Sequence, residues 1–206
     1  PKTKLIFTNL LKLLITIPKL ISMQTPRSLP YKDYFHYFAY GSNLLKRRIH
    51  INNPSAVFLG VGRLDVRLDF VEAQFYSHWK GAVATIVPDE SKHVWGAVWK
   101  MQNDCLVSLD KQEGVKDKQY FSKDVDISCV NGKKKKCRTY QYFVIPPYLK
   151  LLSSLPDDRK PSMTYKQCIV NGALECGIPK DYIEMLKSVP DNGRHADGAL
   201  RKRLDL

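Results

Sequence analysis

The sequence predicts an α+β domain whose sheet is curled or closed into a small mixed barrel flanked by helices. Three observations lead there. Between residues 34 and 190, short β-rich runs outnumber helical ones. The runs do not alternate with helices in the rhythm of a parallel βαβ sheet. The chain has 206 residues, 44% of them hydrophobic, enough to bury one sizeable core.

The elements follow in order. "YFHYFAY" (residues 34–40) is aromatic almost throughout and stops at Gly41, which reads as a buried strand. Asn43 is suited to cap the short helix of "LLKRRIHI", which must stop before Pro54. "RLDVRLDF" (residues 63–70) alternates strictly, so it predicts one half-exposed strand with solvated charges. "GAVATIVP" is nearly all apolar and predicts a strand covered on both faces, followed by another in "HVWGAVWKM". In "SCVNGKKKKCRTYQYFVI", Asn131-Gly132 between β-rich runs predicts a type I′ hairpin with four lysines on a solvated edge. One helix is expected from Ser162 to Gly177 and another after Pro179, through "KDYIEMLKSV". Residues 191–206 read as a polar, loosely held tail.

The net charge of +13 first suggests nucleic acid or a membrane surface. Eleven of those charges sit in residues 1–32, which carry six Lys/Arg and no acid, and in "KKKKCR" at residues 133–138, which carries five. The remainder is close to neutral, and solvated basic segments explain the total without a nucleic-acid or membrane partner. The five cysteines form no CxxC pair and are odd in number, which argues for reduced thiols and a cytoplasmic setting. Residues 1–33 read as a basic extension outside the 34–190 domain. Within it "LIFTNLLKLLITI" is broken by Asn9 and Lys12, too short and polar to span a bilayer. It could be a signal-peptide core or an organelle presequence. The simpler expectation is initiation at Met23, which leaves residues 1–22 outside the mature protein.

The common nucleotide, zinc-peptidase and serine-hydrolase fingerprints are missing, and the five histidines lack metal-ligand spacing, so no cofactor or metal is expected. One carboxylate is unusual. In "QNDCLVSLDKQEGV" a helix capped by Asn103 or Asp104 would end at Gly114, with Leu106 and Leu109 on its apolar stripe. Glu113 falls on that stripe four residues after Leu109, at the helix end where the dipole disfavours negative charge. Burial and dipole both raise its pKa towards the range of a general base. A structural glutamate paired to a buried donor fits the same spacing.

"YFAYGSNL", "NPSA", "VWGAVWKM", "SLDKQEGV" and "SMTYKQCIVNGA" together resemble the gamma-glutamylcyclotransferase family over roughly residues 36–190. That resemblance implies a small mixed barrel and a cofactor-independent enzyme. Its substrate would be a small-molecule gamma-glutamyl amino acid or dipeptide, cyclised to 5-oxoproline, and it is compatible with a homodimer. It places the catalytic glutamate at Glu113 and the substrate loop at Tyr37, Phe38, Ala39, Tyr40, Gly41, Ser42 and Asn43. The tyrosine that closes the pocket falls at Tyr165, with Tyr120 as a further wall. A strand-to-helix turn at Gly41 brings backbone N–H groups towards a ligand without a Cβ in the way, a cradle for a carboxylate or oxyanion. Departures from the family pattern are the basic extension, the tetralysine hairpin and a longer segment before Tyr165. The alternatives are a relative directed at gamma-glutamyl amines or glutathione, a non-catalytic anion-binding module, or a basic nucleic-acid-binding module.

Overall fold

A computed structural model describes residues 33–73 and 78–206. The apolar segment, the Met23 start and the basic extension fall outside the described residues.

Five strands close into a barrel in the order β1-β5-β2-β6-β7: β1 (Tyr34–Ala39), β2 (Val57–Leu64), β5 (Val94–Gln102), β6 (Tyr120–Cys129) and β7 (Lys134–Tyr142). The first strand runs antiparallel to β5, with Tyr34 opposite Gln102 and Ala39 opposite Ala97. It also pairs in parallel with β7 at Tyr37 and Arg138, and this last contact removes the open edges. The aromatic content of β1 explains its place, since Tyr37 and Phe38 are buried in the core with Trp99 of β5 and Tyr140 of β7.

A separate two-stranded sheet, β3 (Arg67–Val71) and β4 (Val83–Val87), lies outside the barrel order. All five residues of β4 are buried, as its apolar run predicts, and Thr85 Oγ1 accepts from the Tyr142 N–H of β7 at 3.0 Å.

Three local expectations need correction. The alternating run at residues 63–70 is not one half-exposed strand, because β2 ends at Leu64 and β3 begins at Arg67. Asp69, expected in solvent, is 1% exposed and ion-paired to Arg159, which arrives on a 3-10 turn (Asp157–Arg159). The alternation is real, and Arg63 and Asp65 stay exposed, but a partner ninety residues on covers Asp69.

The hairpin between β6 and β7 is not type I′. Only Gly132 has positive φ (77°), and the Gly132 N–H reaches the Cys129 carbonyl at 2.9 Å across a three-residue turn. Asn131 instead accepts the Lys133 N–H on its side chain at 3.1 Å. Lys133, Lys134 and Lys136 are exposed and Lys135 is half-buried. Replacing residues 133–136 with serine and glutamine should shift stability by no more than roughly 0.5 kcal/mol in urea denaturation. A larger loss would show that the lysine stems pack on the barrel.

Two helices form where the sequence places them. Ser162 Oγ accepts the Tyr165 N–H at 3.2 Å to start α3 (Met163–Cys176), and Gly177 ends it in the left-handed conformation. Helix α4 (Lys180–Ser188) follows Pro179. The carboxyl end is not loose. Asn192 bonds the carbonyls of Lys80 and Pro161 at 2.9 Å each, and Arg194 O accepts the Met163 N–H at 2.9 Å. A last helix, α5 (Gly198–Leu204), buries Leu204. Polar residues that look like a solvated tail here satisfy the backbone of distant loops.

Candidate active site

The strand β1 ends at Ala39, and a 3-10 turn (Ser42–Leu44) leads into α1 (Lys46–His50). Gly41 has φ −110°, which any residue adopts. Its role is space: a Cβ there would lie 3.2 Å from the Tyr165 hydroxyl. Among the described residues the N–H groups of Gly41, Ser42 and Asn43 have no acceptor, as expected at a helical start.

Asn43 does not cap. Leu45 holds the N-cap position of α1 with no side-chain bond, and the Asn43 side chain turns into the protein, where it is 4% exposed. Its Nδ2 donates to the Tyr37 hydroxyl at 3.0 Å and to Glu113 Oε1 at 3.1 Å. Its Oδ1 accepts from Gln112 Nε2 at 3.0 Å. The buried acceptors on Tyr37 and Glu113 offer better partners than the solvated helix start.

Glu113 is delivered by α2 (Cys105–Gln112), whose Leu109 is fully buried. The Glu113 N–H still bonds Leu109 O at 3.0 Å, and Gly114 takes φ +62° to end the helix, so the carboxylate points inward at the C-terminus. Its Oε1 accepts from Asn43 and, at 3.3 Å, from Gln112 Nε2. Gln112 is held in turn by Arg48 Nη1 and Asn52 Nδ2, each 3.1 Å from its Oε1. Among the described residues Oε2 accepts no hydrogen bond, so one oxygen is fixed and the other is free. Although Glu113 keeps some exposed surface, desolvation dominates and pushes its pKa from 4.5 up to about 7, against the lowering pull of Arg48, Gln112 and Asn43.

A chamber of about 40 Å³ lies against this carboxylate. Tyr37, Tyr40, Gly41, Ser42 and Asn43 line it from one side, and Tyr120, Tyr140, Tyr165 and Ala84 from the others. Ala84 is clamped by two phenols: its N–H donates to Tyr165 at 3.1 Å, and Tyr120 donates to its carbonyl at 2.7 Å. Burial, reinforced by the charge of Glu113, raises the pKa of Tyr37 and Tyr40, and burial does the same for Tyr120. The walls are therefore neutral hydroxyls. Tyr140 donates to Asp110 at 2.5 Å and accepts from Arg138 Nε at 3.0 Å, which locks its ring.

The chamber brings together Glu113, Tyr37, Tyr40, Gly41, Ser42, Asn43, Tyr120 and Tyr165. Phe38 and Ala39 do not line it; both are in the barrel core, and the Phe38 carbonyl accepts from Thr139 Oγ1 at 2.9 Å. Sequence reasoning misses Tyr140, Ala84 and Gln112, although Gln112 could have been found from its place beside Glu113 on α2.

A second chamber of about 330 Å³ shares Ser42, Glu113, Tyr120 and Tyr165 with the first. A cavity of about 720 Å³ lies among charges such as exposed Glu72 and Asp158 and half-buried Lys160, and holds no buried titratable group. Among the described residues no cluster of three or more His, Cys, Asp or Glu could hold a metal ion. No described helix is long and apolar enough to cross a membrane.

Known proteins resemble this chain in sequence and fold. A profile of the AIG2-like family matches residues 93–186. The chain is 46% identical to a gamma-glutamylcyclotransferase of Bos taurus over 163 residues, covering 78% of this chain and 81% of that protein. It is 43% identical to the Homo sapiens gamma-glutamylcyclotransferase over 166 residues, or 79% and 82% of the two chains. A solved gamma-glutamyl cyclotransferase superposes with TM-score 0.72 at 39% identity, over 84% of this chain and 98% of that one. Similarity of this extent, over a barrel that presents a half-buried glutamate to a glycine turn, places the chain in the gamma-glutamylcyclotransferase family.

Proposed function

We propose that this protein converts gamma-glutamyl amino acids to 5-oxoproline and the free amino acid, with Glu113 carrying the proton. The observation that supports this most is the state of Glu113: one oxygen held by two amides, the other free, and a pKa near 7 in a chamber of neutral phenols.

The unpaired N–H groups at Gly41, Ser42 and Asn43 hold the glutamyl head, and the substrate's α-amine is bent towards its own γ-carbonyl. Glu113 Oε2 takes a proton from the amine as the nitrogen attacks the γ-carbonyl carbon. The new C–N bond closes a five-membered ring, and the developing oxyanion is met by turn N–H groups. Protonated Glu113 then gives the proton to the departing nitrogen as the old C–N bond breaks. The nucleophile belongs to the substrate, so no side-chain nucleophile is used. Intramolecular attack in a held geometry supplies on the order of 7–11 kcal/mol of the barrier.

The test is 5-oxoproline release from a panel of gamma-glutamyl dipeptides that includes glutathione and gamma-glutamyl-lysine. Release from none of them would overturn the proposal. A preference for glutathione or for the lysine isopeptide would replace it with the narrower activity.

The reading extends to a reducing cytoplasm, supported by five free cysteines of which Cys137 and Cys168 are buried. It also extends to a homodimer, for which Val57, Phe58 and Leu59 of β2 offer an exposed apolar run. Light scattering on the purified protein tests the latter.

A further inference from the structure

The proposed chemistry occupies the inner chamber, whose 40 Å³ is room for roughly three waters. A gamma-glutamyl amino acid is larger than that. With its reacting atoms at Glu113, the rest of it must extend towards the outer chamber, whose walls share Ser42, Glu113, Tyr120 and Tyr165 with the inner one. The outer volume of about 330 Å³ is ample for an amino acid.

Resting on the cyclotransferase reading, we infer that the outer chamber is the subsite of the departing amino acid. Lys111 receives its α-carboxylate, and Trp79 forms the wall against its side chain. Lys111 lines the chamber from α2, two residues before Glu113, and makes no ion pair among the described residues. A carboxylate one carbon from the leaving nitrogen comes within reach of that ammonium when the nitrogen is at Glu113. Asp117 also lines the chamber, so its field accommodates one carboxylate and disfavours a second, on an acidic side chain.

The Trp79 wall is built rather than incidental. Its ring meets Tyr165 edge-on, 4.8 Å between centroids at 74°, and the Arg48 guanidinium carbon lies 5.7 Å from the ring centre. The residues on both sides of Trp79 are tied to one carboxylate. Asp197 accepts from His78 Nδ1 at 2.7 Å and from Lys80 Nζ at 3.1 Å, while its own N–H donates to the His78 carbonyl at 2.9 Å. Asp197 stands at the N-cap of α5 but makes no capping bond, so its side chain serves this wall. The carboxyl-terminal segment thus holds one side of the chamber in place.

The experiment compares kcat/KM for gamma-glutamyl-alanine and gamma-glutamyl-alaninamide, which differ only in the carboxylate. The unmodified protein should prefer the acid by about two- to fivefold, the range of an accessible ion pair. In Lys111→Met that preference should fall to about one, and Lys111→Arg should restore it, through KM rather than kcat. The readout is a ratio of substrates, so a general loss from misfolding cancels. Trp79→Ala should flatten the ranking among gamma-glutamyl-glycine, -alanine and -phenylalanine. An acid-to-amide ratio equal in the unmodified protein and Lys111→Met, with both substrates turned over, overturns the subsite alone. No 5-oxoproline from either substrate overturns the cyclotransferase reading with it.

Discussion

Glu113→Gln should fold, bind substrate with similar affinity and lose on the order of 10²–10⁴ in kcat, the usual worth of a general base. The amide reproduces the shape and can still accept from Asn43 and Gln112 on its carbonyl oxygen, but it cannot take the proton. The unmodified enzyme should gain activity as pH rises through about 7, the pKa at which Glu113 becomes the base. Stability should run the other way. Folding favours the neutral acid, so the contribution of this group is complete below pH 4.5 and is lost as pH rises through about 7. That interval corresponds to at most about 3 kcal/mol. Glu113→Gln carries no such cost, so its melting temperature relative to the unmodified protein should improve from pH 5 to pH 8. A structural glutamate gives the reverse: a lower melting temperature at every pH with turnover preserved in the folded fraction. Near-normal kcat in well-folded Glu113→Gln would sink the mechanism.

The largest stability effect should come from Arg159→Met, far from the chemistry. Arg159 is 5% exposed, and its guanidinium pairs with Asp69 while donating to the carbonyls of Phe70 at 2.8 Å and Pro147 at 2.9 Å. One side chain therefore ties β3 to its own turn, 89 residues beyond Phe70, and to the loop at Pro147. Methionine keeps the apolar stem but leaves Asp69 buried with only the Phe70 N–H at 2.7 Å and the 3.3 Å contact to Arg67, and two carbonyls without their donor. Breaking one side of a buried pair costs about 3–5 kcal/mol, which for a domain of this size lowers Tm by about 10 °C. The pair itself need not be net stabilising, so replacing Asp69 by leucine as well should recover part of the loss. Urea denaturation of the single and double variants decides it. A single-variant loss under about 1 kcal/mol would mean that water reaches Asp69.

How legible this was in the sequence depends on the range of the interactions. Glu113 could be placed because its cause is local: a helix of eight residues, an apolar stripe through Leu109 and a glycine to end it. The ends of α3 were legible for the same reason. Asn43 reads as a cap because its local option, capping α1, is real but weaker than the buried acceptors on Tyr37 and Glu113, the second of which only the fold brings near. Tyr140 and Ala84 reach the chamber through barrel register and sheet packing, which no short window of sequence encodes. Asp69 looked solvated because alternation reports the strand and not what later covers it. The recurring pattern is that spacing identifies a polar residue's face, while its partner is chosen by the fold, 70 positions away for Asn43 with Glu113 and 90 for Asp69 with Arg159.

Barrel closure has a kinetic consequence. The glycine turn leaves directly from β1, and β1 is held on one side by β7 through Tyr37 and Arg138, about a hundred residues apart. Loop closure over that distance is paid before its contacts reward it, so this pairing belongs to the slow part of folding. A chain halted before β7 is added would lack both Tyr140 and the strand that buttresses the turn. Enzymatic activity then reports completion of the whole domain: during refolding it can accompany the final closure, but no partly folded species can show it early.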